Sequence, residues 1–165
     1  MLKRILPLAL AFAAFWSCSS RSTAIPTALT DLSTALNTRD QAAFKKLIWT
    51  GAADYTAIQN DTITVSNLVT AGSYRYKYYF SNASYPAAGN SPVTARVECT
   101  VESYVGDALI ASQTYPASDT GSAKFEFANG STLFFMEDWK FSKIWLPRYG
   151  DPLVKMPGFI QFVKP

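Results

Sequence analysis

The sequence contains no histidine, and this absence excludes more chemistry than any other feature of its 165 residues. The Ser-His-Asp triad, imidazole acid–base catalysis and histidine metal sites all need that side chain. Two cysteines, Cys18 and Cys99, are too few for a thiolate zinc cluster. The sequence therefore predicts no metal and no cofactor, and leaves carboxylate, tyrosine, lysine or arginine chemistry, or binding without catalysis.

An excess of charge is also lacking. The formal charge is +3, but Lys3, Arg4 and Arg21 all precede the first acidic residue, Asp31. Without these three, twelve basic residues balance twelve acidic ones, so a nucleic-acid partner has no electrostatic basis. Apolar residues make up 48% of the chain, which predicts one folded domain with a core.

The N-terminus has the features of a signal peptide. Lys3 and Arg4 precede an apolar run from Ile5 to Trp16. As a helix this run would span about 18 Å, less than the roughly 30 Å hydrocarbon core of a bilayer. The pattern therefore predicts export rather than a transmembrane anchor.

The end of that run resembles a bacterial lipoprotein signal, because the small Ser17 precedes Cys18 and a polar stretch follows. The resemblance implies that residues 1–17 are removed and that Cys18 is lipidated, which anchors the protein to a membrane in the cell envelope. The alternative is ordinary cleavage after Ser22-Thr23-Ala24, in which case Cys18 is discarded with the signal peptide.

Two helices are predicted after a polar tether at residues 18–26. From Thr27 onwards, apolar residues recur with helical spacing, and Asp40 is a suitable N-cap for a second helix that ends at Trp49-Thr50-Gly51. Residues 55–70 are ambiguous, since Thr62 to Val65 favours a strand whereas Ser66 to Val69 could start a helical turn. We interpret this stretch as a short strand or loop.

The rest of the chain has the two-residue period of strands. The predicted strands cover residues 74–80, 93–105 and 108–115 and three aromatic runs between 123 and 146, with turns at Asn129-Gly130 and Glu137-Asp138. The expected fold class is α+β: two N-terminal helices packed on a curved antiparallel sheet of about five strands, within residues 27–146. A proline-rich tail, residues 147–165, is expected to pack on this domain.

Two local motifs resemble the NTF2-like (SnoaL-like, cystatin-like) family. They are the helix join Leu36-Asn37-Thr38-Arg39-Asp40-Gln41-Ala42-Ala43-Phe44 and the closing strand Met136-Glu137-Asp138-Trp139-Lys140-Phe141-Ser142-Lys143-Ile144. The resemblance implies a mostly apolar cavity between the concave sheet face and the helices. Some members of this family are isomerases or dehydratases, and many bind only a ligand or a protein partner; a homodimer is also consistent with it.

The candidate ligand-binding residues are aromatic. Tyr74, Tyr76 and Tyr78 share one face of a predicted strand and could line a pocket for a small apolar ligand, or could pack within the fold. Asp54 and Tyr55 follow the second helix, near the expected mouth of the cavity. A polar loop residue and a half-buried ring are the alternative interpretations.

No residue is predicted to be catalytic. Glu98 and Glu102 lie on the side of their strand opposite Cys99, where a solvated outer face explains them, and Cys99 is in phase with valines, as a buried thiol would be. The sequence thus favours a non-catalytic protein that binds a small ligand or a partner. The alternatives are a small isomerase or lyase that uses a buried carboxylate and a tyrosine, and a structural component of the envelope.

Overall fold

A computed structural model of the chain describes residues 21–86, 91–118, 123–131, 137–147 and 160–163. The predicted signal peptide, Cys18, the middle aromatic run of residues 132–136 and most of the C-terminal tail lie outside these residues.

Helix α1 spans Arg21–Thr38 and begins earlier than predicted. Its buried side chains recur every three or four residues and are at most 4% exposed: Ile25, Leu29, Leu32 and Leu36. The assignment of residues 21–26 to a tether was therefore wrong. The fully buried Ile25 extends the apolar stripe by one turn, and burial of that stripe stabilises the extra helical residues.

Helix α2 spans Gln41–Leu47 and is joined to α1 by a tight turn. Arg39 adopts a left-handed conformation with φ of 58°, and the carboxylate of Asp40 accepts a hydrogen bond of 2.9 Å from the Ala43 backbone N–H. The prediction of Asp40 as an N-cap is therefore confirmed. The cap starts α2 in a direction that buries Phe44 completely.

Two short helices, α3 (Tyr55–Gln59) and α4 (Val65–Leu68), occupy the stretch that was predicted to be a strand or loop. That prediction was wrong for a tertiary reason. The Gln41 side chain donates to the Ile58 and Ile63 carbonyls and accepts from the Val65 N–H. The Thr64 hydroxyl also caps α4. These contacts satisfy backbone groups that a strand would otherwise pair.

The helices pack on one curled, mostly antiparallel sheet, which confirms the α+β prediction. The strands among the described residues are β1 (Thr70–Ala71), β2 (Tyr74–Ser84), β3 (Val93–Val105), β4 (Ala108–Tyr115), β5 (Ala123–Ser131), β6 (Glu137–Pro147) and β7 (Ile160–Val163). Their order is β1-β2-β3-β5-β6-β7, and β4 pairs with the other half of β3. Among the strands that the structure describes, only β7, a piece of the C-terminal tail, runs parallel to its neighbour, β6.

The hairpin predicted at Asn129-Gly130 does not form there. Strand β5 continues through both residues, and Gly130 pairs with Asp138 of β6. Ser131, the last residue of β5, pairs with Glu137, the first residue of β6. A local turn preference is overridden here because extending the strand gains cross-strand hydrogen bonds with β6.

The inner face of the sheet forms the core with the helices. On β3, alternate residues from Val93 to Ser103 are at most 3% exposed, as the strand period predicts. Helix α1 is bonded to the edge of β2, where the Asn37 amide accepts from the Tyr78 N–H at 2.8 Å and donates to its carbonyl at 2.9 Å. Asn37 thus completes the hydrogen bonds that a neighbouring strand would make. Among the described residues, no helix has the length and apolarity needed to cross a bilayer.

Candidate functional site

The predicted tyrosine row runs from solvent into the core. Tyr74 is 45% exposed, whereas Tyr76 and Tyr78 are 5% and 0% exposed. The strand places all three on one face, as expected, but the inner two are buried in the core. Tyr76 and Tyr78 therefore belong to the core cluster, as the alternative interpretation of packing within the fold allows.

The inner face beyond this row is packed with aromatic side chains. The rings of Phe80 and Phe125 meet edge to face with centroids 5.1 Å apart, and those of Phe127 and Phe141 lie 4.6 Å apart. These separations are those of directly packed rings. At these positions the described part of the inner face is packed with the chain's own phenylalanines.

Asp54 and Tyr55 belong to a different element from the tyrosine row. Asp54 occupies the N-cap position of α3, and the half-buried Tyr55 packs against the core. The row lies on β2. The two halves of the predicted ligand site are therefore carried by separate elements, as the alternative interpretation of a polar loop residue and a half-buried ring allows.

The acidic side chains whose exposure is described all retain access to solvent. The buried polar side chains in that part of the chain are Ser103 and Ser142. A general base in an apolar pocket, which the isomerase alternative requires, is therefore not found among the described residues. Cys99 is fully buried, as predicted, and this burial raises the pKa of its thiol, which makes it a poor nucleophile.

The outer face, by which we mean the side of the sheet opposite the core, carries a cluster centred on Glu102. One oxygen of its carboxylate accepts from the hydroxyls of Tyr79 at 3.1 Å and of Tyr104 at 2.7 Å. The hydrogen bond to Glu102 raises the pKa of Tyr104 to about 12, because a phenolate would face the carboxylate. Arg75 and Lys77 lie 5.3 and 4.7 Å from the centroid of the Tyr104 ring.

A second aromatic group on the outer face is Trp145 of β6. The ammonium of Lys124 lies 4.7 Å from its ring centroid and that of Lys143 lies 6.0 Å away. Both separations are within the range of cation–π attraction. The outer face thus presents a tyrosine pair at one end and a tryptophan at the other, each flanked by cations.

The sequence reasoning missed this surface. It assigned the residues opposite Cys99 to a solvated face. The structure shows that Tyr79, which is 42% exposed, contacts Glu102 because of the register in which β2 and β3 pair. Exposed apolar side chains also gather near the hairpin of β3 and β4: Val105, Leu109 and Ile110. The sequence did carry a signal for this surface, because aromatic residues occupy strand positions on the face that was expected to be polar.

A groove of about 250 Å³ separates α1 from α2. It is lined by Asp31, Thr34, Ala35, Thr38, Asp40, Ala43, Lys46 and Leu47. Ligand pockets usually measure roughly 300–1,000 Å³ and are mostly enclosed, and this groove is smaller and open. The outer face, rather than this groove, is therefore the candidate binding surface.

Comparison with protein families and with curated proteins gives no match to this chain. Among solved structures, the chain is similar to the beta subunit of the benzoate 1,2-dioxygenase from Burkholderia mallei, with 13% sequence identity and a TM-score of 0.48. The similarity covers 85% of this chain and 87% of that one.

Proposed function

We propose that the chain is an exported, lipid-anchored protein of the NTF2-like type that catalyses no reaction and binds a protein partner through the outer face of its sheet. The observation that carries the proposal is the contrast between the two faces. The described side chains of the inner face pack against one another, while the outer face holds Tyr79, Tyr104 and Trp145 beside Arg75 and lysines.

The residue types on the outer face favour the binding of a protein partner over a face that is only solvated. Trp, Tyr and Arg are the residue types enriched at the energetic centres of protein interfaces. The hydroxyls of Tyr79 and Tyr104 are held by Glu102, so these rings lose little rotamer freedom on binding. A preorganised aromatic surface of this kind suits a partner with a complementary flat face.

The lipid anchor is supported by the sequence around Cys18. Mass spectrometry of the mature N-terminus tests it directly: we expect a chain that begins at Cys18 and carries acyl groups. A mature chain that begins unmodified at Ile25 would refute the anchor and leave the binding proposal standing.

The binding proposal is tested by site-specific photocrosslinking in native cells. Benzoylphenylalanine at Tyr79 or Trp145 is expected to give an adduct of one defined mass. The matched control places it at Lys46, an exposed residue of α2 on the other side of the domain. Adducts of equal yield from Lys46, or none from Tyr79 and Trp145, would contradict a partner on the outer face.

A further inference from the structure

We propose that Arg96 and Lys124, beside Trp145, form a binding site for a carboxylate, and that the segment of the partner that reaches this end of the outer face is acidic. This inference rests on the proposed function, because it assigns the chemistry of the partner. Arg96 on β3 lies directly opposite Lys124 on β5. Lys124 in turn lies directly opposite Trp145 on β6.

The arrangement puts like charges next to each other. Side chains directly opposite in an antiparallel pair have Cβ atoms about 5 Å apart, and like charges at such positions destabilise the sheet. The neighbouring carboxylates are engaged elsewhere. Glu98 accepts from Ser81 at 2.8 Å and from Asn82 at 3.1 Å, on the β2 side of the sheet.

The other nearby carboxylate, Glu126, is also occupied. It pairs with Lys143 at 3.1 Å, and its other oxygen accepts from Ser142 at 2.9 Å. Within the part of the chain that the structure describes, Arg96 is exposed and no ion pair neutralises either Arg96 or Lys124. The opposite end of the sheet differs, because Glu102 lies directly across from Lys77 there.

The geometry suits a carboxylate ligand. A guanidinium binds a carboxylate through two parallel hydrogen bonds, and an ammonium on the next strand can add a third. The Trp145 ring, which already holds Lys124 at 4.7 Å, adds an apolar platform for the methylene groups of a glutamate side chain. An acidic peptide thus removes the repulsion between the two cations and buries part of the ring.

The test uses a fluorescently labelled hexaglutamate peptide and the mature protein at low salt, with binding followed by fluorescence anisotropy. We expect saturable binding that weakens as salt is added. Arg96→Glu and Lys124→Glu should each weaken it about tenfold or more. Lys46→Glu makes the same charge change on exposed α2 and should alter affinity less than about twofold.

An equal loss of affinity for the peptide in Lys46→Glu would show that only the net charge of the protein matters, and would overturn the proposed site. Tight binding of phosphatidylglycerol vesicles that depends on Arg96 and Lys124, without binding of the peptide, would assign the surface to lipid and overturn the acidic partner. If Tyr79 crosslinks to a partner but hexaglutamate does not bind, this inference falls and the proposed function stands. If neither Tyr79 nor Trp145 crosslinks, the proposed function falls by itself.

Discussion

Replacing Asn37 with alanine should loosen the sheet from α1. The amide of Asn37 makes two hydrogen bonds to the backbone of Tyr78, at 2.8 and 2.9 Å. Each is worth about 1 kcal/mol net, and a partly buried N–H left without a partner costs about 1–3 kcal/mol. The Tyr78 carbonyl keeps the Ser33 hydroxyl at 2.6 Å. We therefore expect Asn37→Ala to lower the free energy of unfolding by about 2–3 kcal/mol.

Urea unfolding followed by circular dichroism measures this change. Asn37→Asp tests the hydrogen-bond donor separately from the shape of the side chain. It retains an acceptor for the Tyr78 N–H but places an oxygen against the Tyr78 carbonyl. Ser33→Ala should cost about 1 kcal/mol. The double variant should cost more than the sum of the single ones, since the Tyr78 carbonyl then loses both donors.

Thr38→Ala is the matched control on the same helix, because Thr38 is exposed and bonds only to the preceding turn. It should change stability by less than about 0.5 kcal/mol. A loss of less than about 0.5 kcal/mol in Asn37→Ala, equal to that control, would refute the claim that this amide substitutes for a neighbouring strand.

Three further changes test other parts of the structure. Glu102→Gln should lower the pKa of Tyr104 from about 12 towards its ordinary value near 10, seen by absorbance at 295 nm. Because the folded pKa is raised, the stability that Glu102 contributes should be present below about pH 10 and disappear as pH rises towards 12; a constant difference between wild type and variant would contradict this. Asp40→Ala should cost about 1 kcal/mol in urea unfolding through loss of the α2 cap, and no loss would show that the cap is not used. Arg96→Glu should stabilise the protein by about 0.5 kcal/mol at low salt, because it turns a repulsive pair with Lys124 into an attractive one, whereas destabilisation would show that the two cations do not repel.

Several elements could be predicted from local sequence. The alternation from Val93 to Val105 identified β3 because one face of that strand is buried along nearly its whole length. The Asp40 cap could be predicted because it depends only on a residue three positions away. Helices α3 and α4 could not, because the side chain of Gln41 holds them from another part of the chain.

The site was harder to predict for the same physical reason. The period of β2 showed that Tyr74, Tyr76 and Tyr78 share a face, but not that two of them are buried in the core. Tyr79 and Tyr104 meet on Glu102 through strand register, which a single sequence does not display. Contacts that depend on pairing between distant segments become visible only in the folded chain.

The central claim is that the domain fills its own inner face and presents its outer face for binding. Hydroxyl-radical footprinting of the isolated mature protein, with each tyrosine quantified by mass spectrometry, tests it most directly. We predict rapid oxidation of Tyr79, which is 42% exposed on the outer face, and protection of Tyr76 and Tyr78, which are 5% and 0% exposed on the inner face. Oxidation of Tyr76 and Tyr78 as fast as that of Tyr79 would show an open, solvent-filled inner face and would contradict the account.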